Sequence, residues 1–196
     1  MDVERDQIKS RERVRDLAEV FTHKREIDAM LDLIPDKFGE IDTRFLEPAC
    51  GNGNFLVEIL ARKLRLINGD DHGGTDHWNE FAVLRAVSSI YGIDINEANV
   101  SEARERMASL VDRELPEAPS SGFRGALSTI LDANIVCGDT INDADKIRLI
   151  EWEAGEDETF ARTLSFLEEP ERNLFYVEPE TLEKVHYSEL VPAGTP

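Results

Sequence analysis

Arg44-Phe-Leu-Glu-Pro-Ala-Cys-Gly-Asn-Gly-Asn-Phe55 is the stretch that decides the fold. A short apolar segment ends in an acid, Glu47, and the turn Gly51-Asn52-Gly53 then opens a helix-like run from Leu56 to Ile67. This order of strand, turn and helix predicts a doubly wound α/β domain with a ligand mouth where its first strand ends. Glycines remove Cβ atoms where a ligand must touch backbone. The helix start turns unpaired N–H groups and about half a positive charge toward the same place. A bare Gly-X-Gly is weak evidence, but the whole string from Glu47 to Phe55 is specific.

Outward from this turn, apolar periodicity assigns the neighbouring elements. Strands are predicted at 43–47, 90–95 and 134–138, and helices at 54–67, 78–89, 97–115 and 123–132. Upstream, Ile27, Met30, Leu31 and Ile34 share helical spacing in a helix over 24–34 that stops at Pro35, with Thr22 as its N-cap. An amphipathic helix is expected over 3–20. Beyond Lys146 the runs Ile147 to Trp152 and Phe160 to Phe166 flank Ala154-Gly155-Glu156-Asp157-Glu158, the pattern of an antiparallel hairpin. Residues 173–177 are a candidate for a further strand. The expected organisation is N-terminal helices over 1–40 packing on the site, a core over 41–145, and an acidic hairpin and tail over 146–196 in the same domain.

A chain of 196 residues is long enough for one domain with a real core. Its two cysteines, Cys50 and Cys137, are too few for a disulfide framework and point to a reducing, cytoplasmic setting. The charged start lacks the apolar stretch of a signal peptide, and no apolar run approaches the roughly 20 residues of a membrane span. No metal is expected: Asp70, Asp71, His72, Asp76 and His77 crowd one Gly-rich loop, but adjacent loop residues rarely converge on an ion. The net charge of −19 is unusual for a protein that grips DNA, because phosphate neutralisation supplies most non-specific affinity. The acid is concentrated from Glu151 to Glu189, where it forms either a solvated surface or a face for a basic partner or a DNA-like charge array.

The Glu47–Phe55 string closely resembles motif I of the class I S-adenosylmethionine-dependent methyltransferases. The nearest match is the group that methylates the exocyclic amine of adenine in DNA within restriction–modification systems. Upstream, Glu19-Val20-Phe21-Thr22 with Ile27 and Met30-Leu31 looks like that group's segment before the first strand, which closes over the methionine end of the cofactor. Tyr91-Gly92-Ile93-Asp94-Ile95-Asn96 resembles motif II, and Asn134-Ile135-Val136-Cys137-Gly138-Asp139-Thr140 resembles motif III. Together they cover about residues 17–141 in the family's order.

The resemblance implies a Rossmann-like sheet with helices on both faces, and S-adenosylmethionine as cofactor. Glu47 would accept from its ammonium or an intervening water, Gly51 and Gly53 would let backbone approach, and Asp94 would accept both ribose hydroxyls. Asp139 would accept from the adenine amine, with Thr140 or Ile141 against the ring. Phe21, Thr22, Pro48, Ala49, Cys50, Asn54, Phe55 and Ile95 complete the implied cofactor set. Cys50 is expected to be a small packed residue rather than a nucleophile, and Trp78 and Trp152 to be packing residues.

One part of the family pattern is missing. After motif III these enzymes run a strand into an Asn-Pro-Pro-Tyr or Asp-Pro-Pro-Tyr loop that holds the flipped adenine. Here Asn142-Asp143-Ala144-Asp145 has neither proline nor aromatic. The catalytic residues are therefore unassigned. The expected function is a cofactor-binding relative with weak or absent catalysis. Two alternatives stand beside it: an enzyme completed by a partner chain or an unusual pocket, and an acidic DNA-mimicking anti-restriction or regulatory protein. DNA or a restriction–modification protein, and a basic protein at the acidic tail, are the partners these readings imply; a membrane is not.

Overall fold

The computed structural model describes residues 22–67, 79–115, 118–168 and 181–190. Three parallel strands, β1 (Phe45–Glu47), β2 (Ile90–Asp94) and β3 (Ile135–Cys137), stand in the order β1-β2-β3. Phe45 lies opposite Ile90, and Gly92 opposite Ile135. The chain is mixed α/β: helices α1 (Lys24–Leu31), α2 (Asn54–Ile67), α3 (Glu80–Ser88), α4 (Glu97–Glu114) and α5 (Ser121–Asn134) surround this sheet.

Their sequences explain them. In α2, Leu56, Ile59, Leu60, Lys63 and Leu64 are buried at steps of three and four, one stripe of a helix. Asn79, Asn96 and Ser120 cap α3, α4 and α5, each side chain accepting from a backbone N–H two or three residues on. The cap on Ser120 and the burial of Asn134 extend α5 beyond the expected 123–132 at both ends.

Lys63 decides where β1 begins. Its side chain is fully buried and its Nζ donates to Ile41 O at 2.6 Å, Thr43 O at 2.6 Å and Ser89 Oγ at 2.7 Å. Two carbonyls just before β1 are thereby taken from any sheet ladder, so the strand expected from 43 starts at Phe45. Nζ also lies 5.1 Å from the Phe45 ring centroid.

Side chains alternate across a strand, so Tyr91 and Gly92 look opposite ways. A Cβ on Gly92 would come within 2.6 Å of Leu56 Cδ1, which places α2 on that face. On the other face Tyr91 Oη donates to Ile150 O of β4 (Arg148–Ala154) at 3.0 Å. A strand from the tail thus lies beside β2 on that side. The tail is also more than a hairpin. β4, β5 (Thr159–Phe166) and β6 (Thr181–His186) form a three-stranded antiparallel sheet in the order β4-β5-β6. Residues 173–177 lie outside the described residues, as do residues 1–21, the 68–77 loop and Trp78. Trp152 is a packing residue, 5.8 Å from the Phe160 ring, and its Nε1 donates to Asn134 Oδ1 at 2.7 Å.

At the N-terminal side, α1 is capped by His23 and not Thr22. His23 N donates to Glu26 Oε2 at 3.1 Å, the return half of a capping box. The helix ends at Leu31, not Ile34, and Pro35 opens a separate 3-10 turn. Ile27 and Leu31 are buried, whereas Met30 and Ile34 point outward.

Candidate functional site

The finishing ends of the three strands meet at one carboxylate. Asp94, the last residue of β2, accepts from Gly51 N at 2.9 Å through Oδ2. Through Oδ1 it accepts from Asn96 N at 2.9 Å and Asn99 Nδ2 at 3.1 Å. Its carbonyl takes Gly138 N at 3.0 Å. One residue thus joins the loop after β1, the start of α4 and the exit of β3. A carboxylate has about four lone-pair sites. Asp94 therefore keeps room for roughly one further donor beside these three.

The loop after β1 is a tight reversal. Cys50 N donates to Ile93 O at 2.8 Å and Gly53 N to Cys50 O at 2.9 Å. Gly51 and Gly53 have φ of 53° and 83°, conformations that L side chains rarely adopt. A Cβ on Gly53 would also lie 2.8 Å from Ala103 Cβ, so α4 presses directly on the loop. The first bond of α2 is Val57 N to Gly53 O at 2.9 Å, which leaves the N–H groups before it directed out of the helix start.

Glu47 ends β1 half-buried. Its Oε1 accepts from Ala49 N at 3.2 Å, while Oε2 takes no hydrogen bond among the described residues. It is the most available of the three acids. Asp139, past β3, carries as many bonds as Asp94: Oδ1 accepts from Ile141 N at 2.9 Å and Asn142 N at 3.0 Å, and Oδ2 from Asn142 Nδ2 at 2.7 Å. The Asn142 side chain first, then these backbone N–H groups, holds its carboxyl below the usual range. Thr140 Oγ1 donates to Pro48 O at 3.2 Å and so ties the β3 exit to the loop after β1.

Two large aliphatic side chains stand in the open here, Ile95 at 61% and Ile141 at 89% exposure. Pro48 and Ala49 are exposed and Phe55 is half-buried. Cys50 is buried, and burial, helped by Asp94 and Glu47, pushes its thiol up to about 12, so it packs and does not attack. Thr22 offers its carbonyl to Asn54 Nδ2 at 3.4 Å, which brings the segment before α1 to the loop. Phe21 lies outside the described residues.

Sequence reasoning missed the residues that hold the loop from behind. Asn99, Glu102, Ala103 and Arg106 recur at steps of three and four on α4, and each meets the loop or Asp94. Glu102 Oε1 accepts from Asn52 Nδ2 at 2.8 Å, and Arg106 Nη1 donates to Asn52 O at 2.7 Å and Asn54 Oδ1 at 2.8 Å. The available signal is a polar and small stripe at helical spacing opposite a glycine turn.

A cleft of about 920 Å³ lies elsewhere. It is lined by Asp42, Arg85, Ser88, Ser89, Trp152, Glu153, Glu156 and Asp157, among others, near where β1 and β2 begin. Its Arg85 is paired with Asp42, and Arg44 beside it with Glu151. Glu153, Glu156 and Asp157 of the tail hairpin line it.

Over 87 residues the chain is 30% identical to the adenine-specific methyltransferase PglX of Streptomyces coelicolor. The match takes in 44% of this chain and 7% of that protein, so the chain spans a small fraction of its relative's length. No family model and no solved structure matches. Among the described residues no helix is long and apolar enough to cross a membrane.

Proposed function

We propose that this chain binds S-adenosylmethionine where β1, β2 and β3 finish, as the cofactor-holding part of a DNA adenine-N6 methyltransferase-like protein of the cytoplasm. Its sheet is then the Rossmann-like core of that enzyme class. The observation that carries the reading is the glycine loop pinned to Asp94, with α2 opening directly behind it.

The residues present suit the cofactor. Gly51 and Gly53 take the positive φ that the tight loop needs, and Glu47 Oε2 can accept a hydrogen bond from an ammonium. Asp94 has a lone pair for a ribose hydroxyl, and Ile95 and Ile141 offer apolar surface for a flat ring. Asp139 accepts from the adenine amine by sharing an oxygen with the Asn142 contacts. When bound, the cofactor supplies a methyl group already activated on a sulfonium. The chain then has only to orient it, exclude water and complement its charge.

Transfer to adenine also needs a group that aligns the acceptor nitrogen and stacks on the base. After Asp139 the chain turns through Asn142 and the 3-10 segment Ala144–Lys146 into β4, a stretch with no proline or aromatic before Trp152. Binding without efficient transfer is the expected behaviour of the chain alone.

A second reading, an enzyme completed by a partner chain, has one observation in its favour. β1 stands at an edge of the parallel sheet, with β2 as its one partner among the described residues. Phe45 N bonds toward β2 at Ser89 O, so by alternation the amide and carbonyl of Leu46 face the other way, and its side chain is 46% exposed. Such an edge accepts a further strand.

Calorimetric titration with S-adenosylmethionine and its demethylated product tests the proposal. Both should bind, and Asp94→Ala should weaken them by more than about tenfold, through a lost charge-assisted contact and an unpinned loop. A labelled-methyl assay on duplex DNA should show little incorporation. No binding at millimolar ligand removes the cofactor reading, and strong methylation by the chain alone overturns the expectation of weak transfer.

A further inference from the structure

The geometry points to Arg106 as a positioning residue of this site, holding the glycine loop and the segment before α1 in the arrangement that receives the cofactor. This rests on the cofactor reading above. Asn52 O lies between two glycines of positive φ, where neither strand nor helix supplies a backbone donor. Arg106 Nη1 supplies one at 2.7 Å, and the same nitrogen reaches Asn54 Oδ1 at 2.8 Å. Asn54 in turn donates through Nδ2 to Thr22 O at 3.4 Å. One cation on α4 therefore fixes, in series, the loop carbonyl, the first residue of α2 and the stretch of chain leading into α1.

The arrangement is specific to one face of α4. Glu102, one turn before Arg106, holds the other side of Asn52 through Nδ2 at 2.8 Å. Ala103 between them is small where a Cβ on Gly53 would come within 2.8 Å. Glycine loops lose more freedom on ordering than other segments, so a loop already ordered by the protein leaves less of that cost to the ligand. Arg106 acts through Asn52 and Asn54. Its contribution is to affinity.

The test compares Arg106→Met, which keeps the stem without the charge, with Arg106→Lys, which keeps a donor. Asn54→Ala cuts the same series from its other end. Calorimetry with S-adenosylmethionine is run well below each variant's melting temperature, which is measured separately without ligand. Arg106→Met should weaken binding about tenfold, the scale of a hydrogen bond from a charged donor, and Arg106→Lys should recover most of it. In the Asn54→Ala background the further loss from Arg106→Met should be smaller than in the parent. Should Arg106→Met fail to fold, Asn54→Ala decides alone: weaker binding at unchanged melting temperature supports the role. Variants that bind as tightly as the parent overturn it and leave the cofactor reading standing. A parent chain that binds nothing removes both.

Discussion

Where β1 and β2 begin, polar groups are buried and bonded to one another; where they finish, polar groups are half-exposed and hold loops. At the starting end Lys63 gives three hydrogen bonds to Ile41, Thr43 and Ser89, and Asn134 gives two to the carbonyls of Ser88 and Ile90 at 3.0 Å. Every one of these bonds closes on the protein. At the finishing end Glu47 keeps an oxygen open and Asp94 keeps about one lone pair. Ile95 and Ile141 stand in solvent beside them. The difference separates a polar network that stabilises the fold from one that organises a surface for something else. It also explains why the cleft by Trp152 is the weaker candidate: its arginines are already paired.

The comparison breaks most visibly at Lys63. Lys63→Met takes the lysine donor from Thr43 O and the Ser89 hydroxyl, while Ile41 O keeps its bond from Ser89 Oγ at 3.0 Å, and should cost about 2 kcal/mol of stability. Chemical denaturation measures it. Cofactor affinity, taken where the variant is folded, should stay close to the parent's. A stable variant with lost affinity would mean that the two ends are one network.

Gly53 breaks the other end. Gly53→Ala forces a side chain into φ 83° and against Ala103, at about 2 kcal/mol, and should also abolish measurable cofactor binding. Gly125, inside α5, is the control. Beyond the adjoining backbone of its own helix, nothing lies within 4 Å of a Cβ built there, so Gly125→Ala should raise stability by about 1 kcal/mol and leave binding unchanged.

The smallest expected effect is a slope. Burial pushes the Lys63 ammonium down to about 8, with Asp42 opposing, against 10.5 for an ordinary lysine. The folded chain then releases this proton before the unfolded chain does. Between about pH 8 and 10.5 the unfolded state holds more protons, so this group makes stability rise with pH across that window. Denaturation midpoints over the window should climb more steeply for the parent than for Lys63→Met. Parallel profiles would show that the three acceptors hold the ammonium charged.

How much of this is legible in the sequence follows the same division. The finishing end is legible because its chemistry is local: a glycine turn beside Glu47, and acids at the ends of apolar runs, mark Asp94 and Asp139 without knowledge of contacts. The partners of the loop are hidden, since Glu102 and Arg106 reach it from about 50 residues downstream on a helix whose stripe looks like ordinary surface. The starting end is not legible. A lysine at a core position of α2 gives no sign that it will cap two carbonyls before β1, and so the apolar pattern starts the strand two residues too early. Thr22 loses the cap to His23 because Glu26 answers the His23 amide. The third tail strand, β6, lacks the alternation that marks β4 and β5, and its pairing with β5 is long-range.

The most direct measurement is a ¹⁵N–¹H spectrum of the labelled chain titrated with the demethylated cofactor. Amides of Gly51, Gly53, Ile95, Asp139 and Ile141 should shift first and furthest. Amides of Thr43, Ser89, Trp152 and Glu153, at the closed end and its cleft, should hold their positions. Shifts gathered around Trp152 and Glu153 with the glycine loop unmoved, or no shifts at millimolar ligand, would contradict a cofactor site at the finishing ends of the strands.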